Sequence, residues 1–288
     1  MTYVADEIAS QPSVWQLARD VPAAGLPAPG ERVAVLGCGT SYYMAQAYAA
    51  LRESAGQGET DAWAASEFPA GRRYDRVVAL TRSGTTTEVL AALDRVAGAP
   101  TVAVTAAPDT PVGAAAGSVV ALDFADERSV VQTRFATAAL VLLRTHLGED
   151  TSGLPAAAAA ALDADLPAEL AAASQLSFLG TGWTVGLAHE AALKLREAAQ
   201  AWTESYYAME YRHGPISIAA PGRVVWIFGA VPPGLLDDLR STGAHVETWA
   251  GDPLADLVRV HRVAELRALA QGLDPDRPRH LDRSVILG

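Results

Sequence analysis

The stretches LGCGTSYYMAQAYAALRE (36–53) and LGTGWTVGLAHEAALKLRE (179–197) decide how this chain is read. Each is an apolar run, a glycine turn and a helix-forming segment ending in Leu-Arg-Glu, and they differ in length by one residue. Self-similarity at about half the chain length points to a duplicated domain. Any two strand-turn-helix units of the Rossmann type would also look alike, and spacing does not separate the two explanations.

Working outward from the first copy, the short apolar runs 33–36, 76–80, 101–105 and 118–124 have the length and composition of buried parallel strands. Segments 42–53, 86–97 and 129–147 between and after them have helix-forming composition, so the order predicts a doubly wound α/β sheet. Around the second copy, 176–179, 224–228, 245–249 and 258–263 are the strand candidates. The Pro- and Ala-rich stretch between the halves carries acids and no strand signal. This predicts a first domain over 1–150, a linker helix or hinge over 151–173 and a second domain over 174–288.

Composition narrows the function. A formal net charge of −11 disfavours broad affinity for nucleic acid or anionic lipid, which depends on many Lys and Arg contacts to phosphate. The alanine-rich stretch near 155–180 is broken by Asp163, Asp165, Pro167 and Glu169, so no membrane span is expected. The opening residues MTYVADEIASQ have no secretory pattern, and Cys38 is the single cysteine. Both fit a cytoplasmic protein without disulfides. The histidines lack ligand spacing, and neither a metal nor an organic cofactor is expected.

Four motifs carry candidate chemistry. Gly37-Cys38-Gly39-Thr40-Ser41 follows the first strand and offers a tight turn, helix N–H groups and two hydroxyls, a phosphate cradle or simply a capped turn. Thr81-Arg82-Ser83-Gly84-Thr85-Thr86-Thr87-Glu88 has more donors than a helix cap needs. A capping box would explain Thr85 to Glu88 but not Arg82 and Ser83. In HEAALKLRE, Glu190, Lys194 and Glu197 share one helical face, either a solvated ion-pair ladder or a base held beside an amine. Lys194 is the only lysine. His213-Gly214-Pro215 closes a polar segment, 204–210, expected to be helical, and sets an imidazole at a sharp turn.

Together with the tail DRPRHLDRSV (276–285) and the segment ERSVVQTR (127–134), these motifs resemble the sugar isomerase (SIS) family. The resemblance is to the isomerase half of glucosamine-6-phosphate synthase and to glutaminase-free relatives such as amino-sugar phosphate deaminase/isomerases. It implies two tandem SIS domains, each a five-stranded parallel sheet flanked by helices, assembled as a homodimer. It further implies that Ser41, Thr81, Arg82, Ser83 and Thr86 hold the sugar phosphate with Thr40 beside them. Cys38, Gly39, Gln132 and Arg283 join as substrate neighbours. Glu197 then matches the enolisation base, Lys194 a further site lysine, and His213 of the partner subunit the ring-opening group.

Three positions depart from the synthase pattern. Thr81 and Arg82 stand where serine and glutamine are usual. Arg283 stands where the synthase has its Schiff-base lysine, and a guanidinium that stays protonated cannot take that role. No glutaminase segment is recognised either, so glutamine-dependent synthesis is not expected. The sequence therefore reads as an isomerase or deaminase/isomerase of a hexose or amino-sugar 6-phosphate, with a non-catalytic phosphosugar sensor and an NAD(P)-dependent oxidoreductase as the alternatives.

Overall fold

A computed structural model of the chain describes residues 2–69, 71–96 and 98–287. Positions 1, 97 and 288, where expected spans begin or end, lie outside them. In chain order the first elements are α1 (Tyr3–Ala9), α2 (Gln11–Arg19), β1 (Val33–Gly37), α3 (Thr40–Ser54), β2 (Thr60–Ala64), β3 (Arg76–Thr81), α4 (Thr87–Asp94), β4 (Thr101–Thr105), α5 (Pro111–Ala115), β5 (Ser118–Ala121) and α6 (Arg134–His146). There follow α7 (Leu154–Asp163), α8 (Ala168–Ala172), β6 (Gln175–Gly180), α9 (Thr184–Ala199), β7 (Thr203–Tyr207), β8 (Arg223–Phe228), α10 (Leu235–Ser241), β9 (His245–Thr248) and α11 (Pro253–Ala270). Two compact units emerge. One comprises residues 13–128, 132–153 and 282–288, the other residues 1–12, 129–131 and 154–281.

The first-sheet unit is built on a parallel sheet ordered β2-β1-β3-β4-β5. Strand β1 is buried at all five positions, as expected of an apolar run covered on both faces. The order reverses between β1 and β3, the switch point at which open α/β sheets bind ligands beyond the carboxyl ends of their strands. The second-sheet unit repeats the pattern as β7-β6-β8-β9, also parallel.

That second sheet corrects the expected five strands to four among the described residues. Residues 258–263, expected as a strand, lie in α11. Asp252 accepts the Leu254 N–H, Pro253 occupies the first turn, and the apolar residues then recur at helical spacing through Leu254, Leu257 and Val258. Most of the polar segment expected as helix is instead in β7, where Thr203, Tyr206 and Tyr207 suit a strand and pair in register with β6, and a turn at 208 and 209 follows. Strand β2 was not foreseen, because Thr60-Asp-Ala-Trp-Ala has no apolar run and is half-buried at the sheet edge. Helix α6 starts at Arg134 rather than 129.

Helices α7 and α8 pack within the second-sheet unit. Their last carbonyls receive guanidinium donors from α11: Arg262 reaches Ala161 and Ala164 at 2.8 and 2.6 Å, and Arg267 reaches Leu170, Ala171 and Ala173. These donors satisfy carbonyls that helix ends leave open.

The two sequence copies share a steric constraint. A Cβ built on Gly37 would lie 2.5 Å from the Ser41 carbonyl carbon, and one on Gly180 would lie 2.4 Å from that of Thr184. Glycine is therefore needed at both places for close strand-to-helix approach, whatever its backbone angles. Gly180→Ala is expected to destabilise the protein by about 1–3 kcal/mol through overpacking, read as a lower denaturant midpoint.

Candidate functional site

The loops after β1 and β3 wall a single small cavity in the first-sheet unit, about 30 Å³. Its lining includes Cys38 and Ser41 from the first loop, Thr81, Arg82, Ser83 and Thr86 from the second, and Gln132 and Arg283. That volume admits a small polar group rather than a whole sugar. Thr40 is buried at the first position of α3, and Gly39 caps that helix with φ 52°, but neither lines the cavity.

The second loop is organised by its own hydroxyls. Thr81 Oγ1 accepts from the Gly84 N–H at 3.2 Å, and Ser83 Oγ accepts from the Thr85 N–H at 3.3 Å and lies 3.5 Å from Thr86 Oγ1. Gly84 has φ 64°, and a Cβ there would lie 2.0 Å from Thr110 Oγ1, which fixes glycine at this position. The capping box does not form. Thr86 caps α4 without a side-chain bond, the Thr87 N–H donates to the Val285 carbonyl at 3.1 Å, and Thr85 Oγ1 meets Ser284 Oγ at 2.9 Å.

Both arginines of the cavity are held. The Arg82 guanidinium is buried, 3.7 Å from the Glu127 carboxylate, and donates to the Arg283 carbonyl at 3.1 Å. Arg283 donates to the Asp126 carboxylate and to the Glu127 carbonyl. The buried Oε1 of Gln132 has no hydrogen-bond partner. Burial pushes the Cys38 thiol up to about 11, with Glu88 adding to the rise, so the thiol is not a nucleophile near neutral pH.

The α9 face belongs to the second-sheet unit. Lys194 is buried and bridges two carboxylates, lying 3.4 Å from Glu190 and donating to Glu197. Glu190 is fully buried, so the solvated-ladder reading fails for this pair. Glu197 is the partner whose side chain keeps 19% exposure. It faces a cavity of about 410 Å³ with Arg196, Gln200, Arg279, Leu193 and Leu281. Gln200 and His280, the non-glycine residues with positive φ among those described, lie in or beside its lining. His213 ends a short 3₁₀ turn, Glu210–His213, and is exposed.

One further cavity, about 370 Å³, is lined by residues such as Glu169, Arg223 and His245, and it contains none of the expected site residues. Among the described residues no group of three His, Cys, Asp or Glu side chains is placed to hold a metal ion. No described helix is long and apolar enough to cross a membrane.

The structure of glucosamine-6-phosphate deaminase from Thermotoga maritima superposes with a TM-score of 0.80 at 24% identity, covering 99% of this chain and 100% of that one. Tagatose-6-phosphate ketose/aldose isomerase from Escherichia coli gives 0.79 at 17% identity, covering 99% and 96%. The fold is that of the phosphosugar isomerases. No family model matches the chain. In sequence, the isomerising glutamine–fructose-6-phosphate aminotransferase of Gloeobacter violaceus is 29% identical over 314 aligned positions, 88% of this chain and 52% of that protein. The same enzyme from Sulfurisphaera tokodaii is 27% identical, with 88% and 50% covered. The chain spans about half the length of the curated relatives it matches, their isomerase half. In this phosphosugar-isomerase fold the residue that sequence reasoning left without a role is Glu127, whose segment was noticed but whose carboxylate was not.

Proposed function

We propose that this protein binds a hexose or amino-sugar 6-phosphate and moves a proton between C1 and C2, as an aldose–ketose isomerase or deaminase/isomerase. The observation that carries this reading is the single cavity at the β1/β3 switch point, into which two separate hydroxyl-rich loops bring Ser41, Thr81, Arg82, Ser83 and Thr86. Hydroxyls, helix N-terminal N–H groups and a guanidinium are the donors that suit a phosphate. The named relatives act on sugar phosphates, which supports the same substrate class here.

In this reading Glu197 is the general base and Lys194 holds its carboxylate. His213 of the partner subunit opens the ring in a homodimer. The two tandem α/β domains are SIS domains of a cytoplasmic enzyme. Arg283 cannot form a Schiff base, and its guanidinium is engaged by Asp126 and the Glu127 carbonyl, so amination by the synthase route is not part of the proposal.

The test is C2 deuterium exchange followed by NMR in D2O, across fructose, glucosamine, galactosamine and tagatose 6-phosphates. Exchange with at least one is expected. Binding without exchange on any of the four would instead favour a phosphosugar sensor. Arg82→Gln is expected to weaken phosphosugar affinity about 10- to 100-fold, the loss of a charged hydrogen-bond donor, measured by calorimetric titration.

A further inference from the structure

Glu127 is not in the wall of the first-sheet cavity, yet its carboxylate organises that wall. It is fully buried. One oxygen, Oε1, accepts the N–H groups of Thr133 at 2.5 Å and Arg134 at 2.8 Å, together with the Thr133 hydroxyl at 2.8 Å. These donors stand at the N-terminus of α6 and pin the carboxylate in place. The other oxygen, Oε2, has no hydrogen bond and lies 3.7 Å from Arg82 Nη1. That separation is ionic contact beyond hydrogen-bond reach.

A guanidinium as buried as Arg82 needs a counter-charge, since an uncompensated interior cation costs several kcal/mol. Glu127 supplies it loosely. Arg82 also lines the first-sheet cavity, so an oxyanion entering it meets the same guanidinium that Glu127 balances.

We infer that Glu127 is the built-in counter-charge of Arg82, a positioning residue with which a phosphate entering the cavity competes. The inference rests on the proposed phosphate site. Its consequence is tempered affinity: part of the attraction between Arg82 and phosphate is already cancelled, which favours release of a phosphorylated product. Removing the carboxylate charge makes the ligand itself the missing counter-ion, so ligand binding and folding become more tightly linked.

The experiment uses the full chain carrying Glu127→Gln, whose amide oxygen can still accept from α6. Two changes of opposite sign are expected. Without added anion the melting temperature falls. Affinity for inorganic phosphate and for fructose 6-phosphate rises about tenfold, with a larger thermal shift at saturating phosphate. A merely structural role would lower both. In an Arg82→Gln background the same change should leave phosphate affinity unaltered.

Unchanged or weaker phosphate binding by Glu127→Gln overturns the inference, as does an equal gain in the Arg82→Gln background. If Glu127→Gln does not accumulate as folded protein, Glu127→Asp, which shortens the side chain by one methylene, carries the test. A smaller gain supports the inference and no gain overturns it. Wild-type protein that binds neither probe would overturn the phosphate site and the inference together. Normal wild-type binding without the gain would remove the inference alone.

Discussion

Glu197→Gln is expected to slow C2 deuterium exchange by about 10²- to 10⁴-fold, the range general-base catalysis supplies. The carboxylate is the one in its helix-face trio that keeps access to a cavity: Glu190 is fully buried, Lys194 is 1% exposed, and the Glu197 side chain is 19% exposed. The ammonium of Lys194 fixes its orientation from the protein side. An amide has the same size and can still accept from Lys194, so the fold should survive while the proposed proton acceptor is lost. Affinity for inorganic phosphate should be unchanged, because the residues proposed to hold phosphate belong to the other unit. Full exchange activity in the variant would remove Glu197 from the role of base.

The second large effect concerns acid stability. His261, on α11, is 2% exposed, and its imidazole is pushed down to about 3, chiefly by burial and then by the charge of Lys194. Gln11 Nε2 lies 3.4 Å from the Ile8 carbonyl, to which it donates, and 3.2 Å from His261 Nδ1. Nδ1 is then the acceptor of the neutral ring. In the unfolded chain the imidazole titrates near 6.5. The folded state therefore binds fewer protons between these values, and the stability held above pH 6.5 is lost as pH falls toward 3. The loss attributable to this group is about 2 kcal/mol at pH 5 and on the order of 4 kcal/mol near pH 3.

Asp256 opposes part of this slope. Burial raises its carboxyl to about 6, against hydrogen bonding from Trp226 and the charge of Arg259, so the native state gains stability as pH falls from about 6 toward 3.8. The two contributions separate by difference. His261→Gln should flatten the loss between pH 7 and pH 5 by about 2 kcal/mol relative to wild type, read from urea midpoints at each pH. Equal slopes in the two proteins would show that His261 does not titrate on unfolding.

What could be read from the residues in order was whatever depends on local spacing. The apolar runs at 33–36, 76–80, 101–105, 176–179 and 224–228 became buried strands because continuous Val, Leu, Ile and Phe suit a sheet covered on both faces. Glycine before each first helix signalled a close strand-to-helix approach, and the hydroxyl-rich loops declared themselves by composition. Spacing also placed Glu190, Lys194 and Glu197 on one face, since 3.6 residues per turn dictates it.

Only the tertiary structure decided which of those groups meet and how deeply they lie. Helix geometry is indifferent to whether a Glu-Lys pair faces water, and it was packing within the second-sheet unit that buried Glu190 with Lys194. Strand β7 is settled by its register with β6, whereas 258–263 follows the cap and helical apolar spacing of the 18-residue α11. The convergence of residues 41, 82, 132 and 283 on one cavity, and of Glu127 behind it, joins positions as far apart as Ser41 and Arg283, 242 residues (283 − 41). Chain order carries no distance information at that range, and only the assembled sheet and its crossovers bring such residues together.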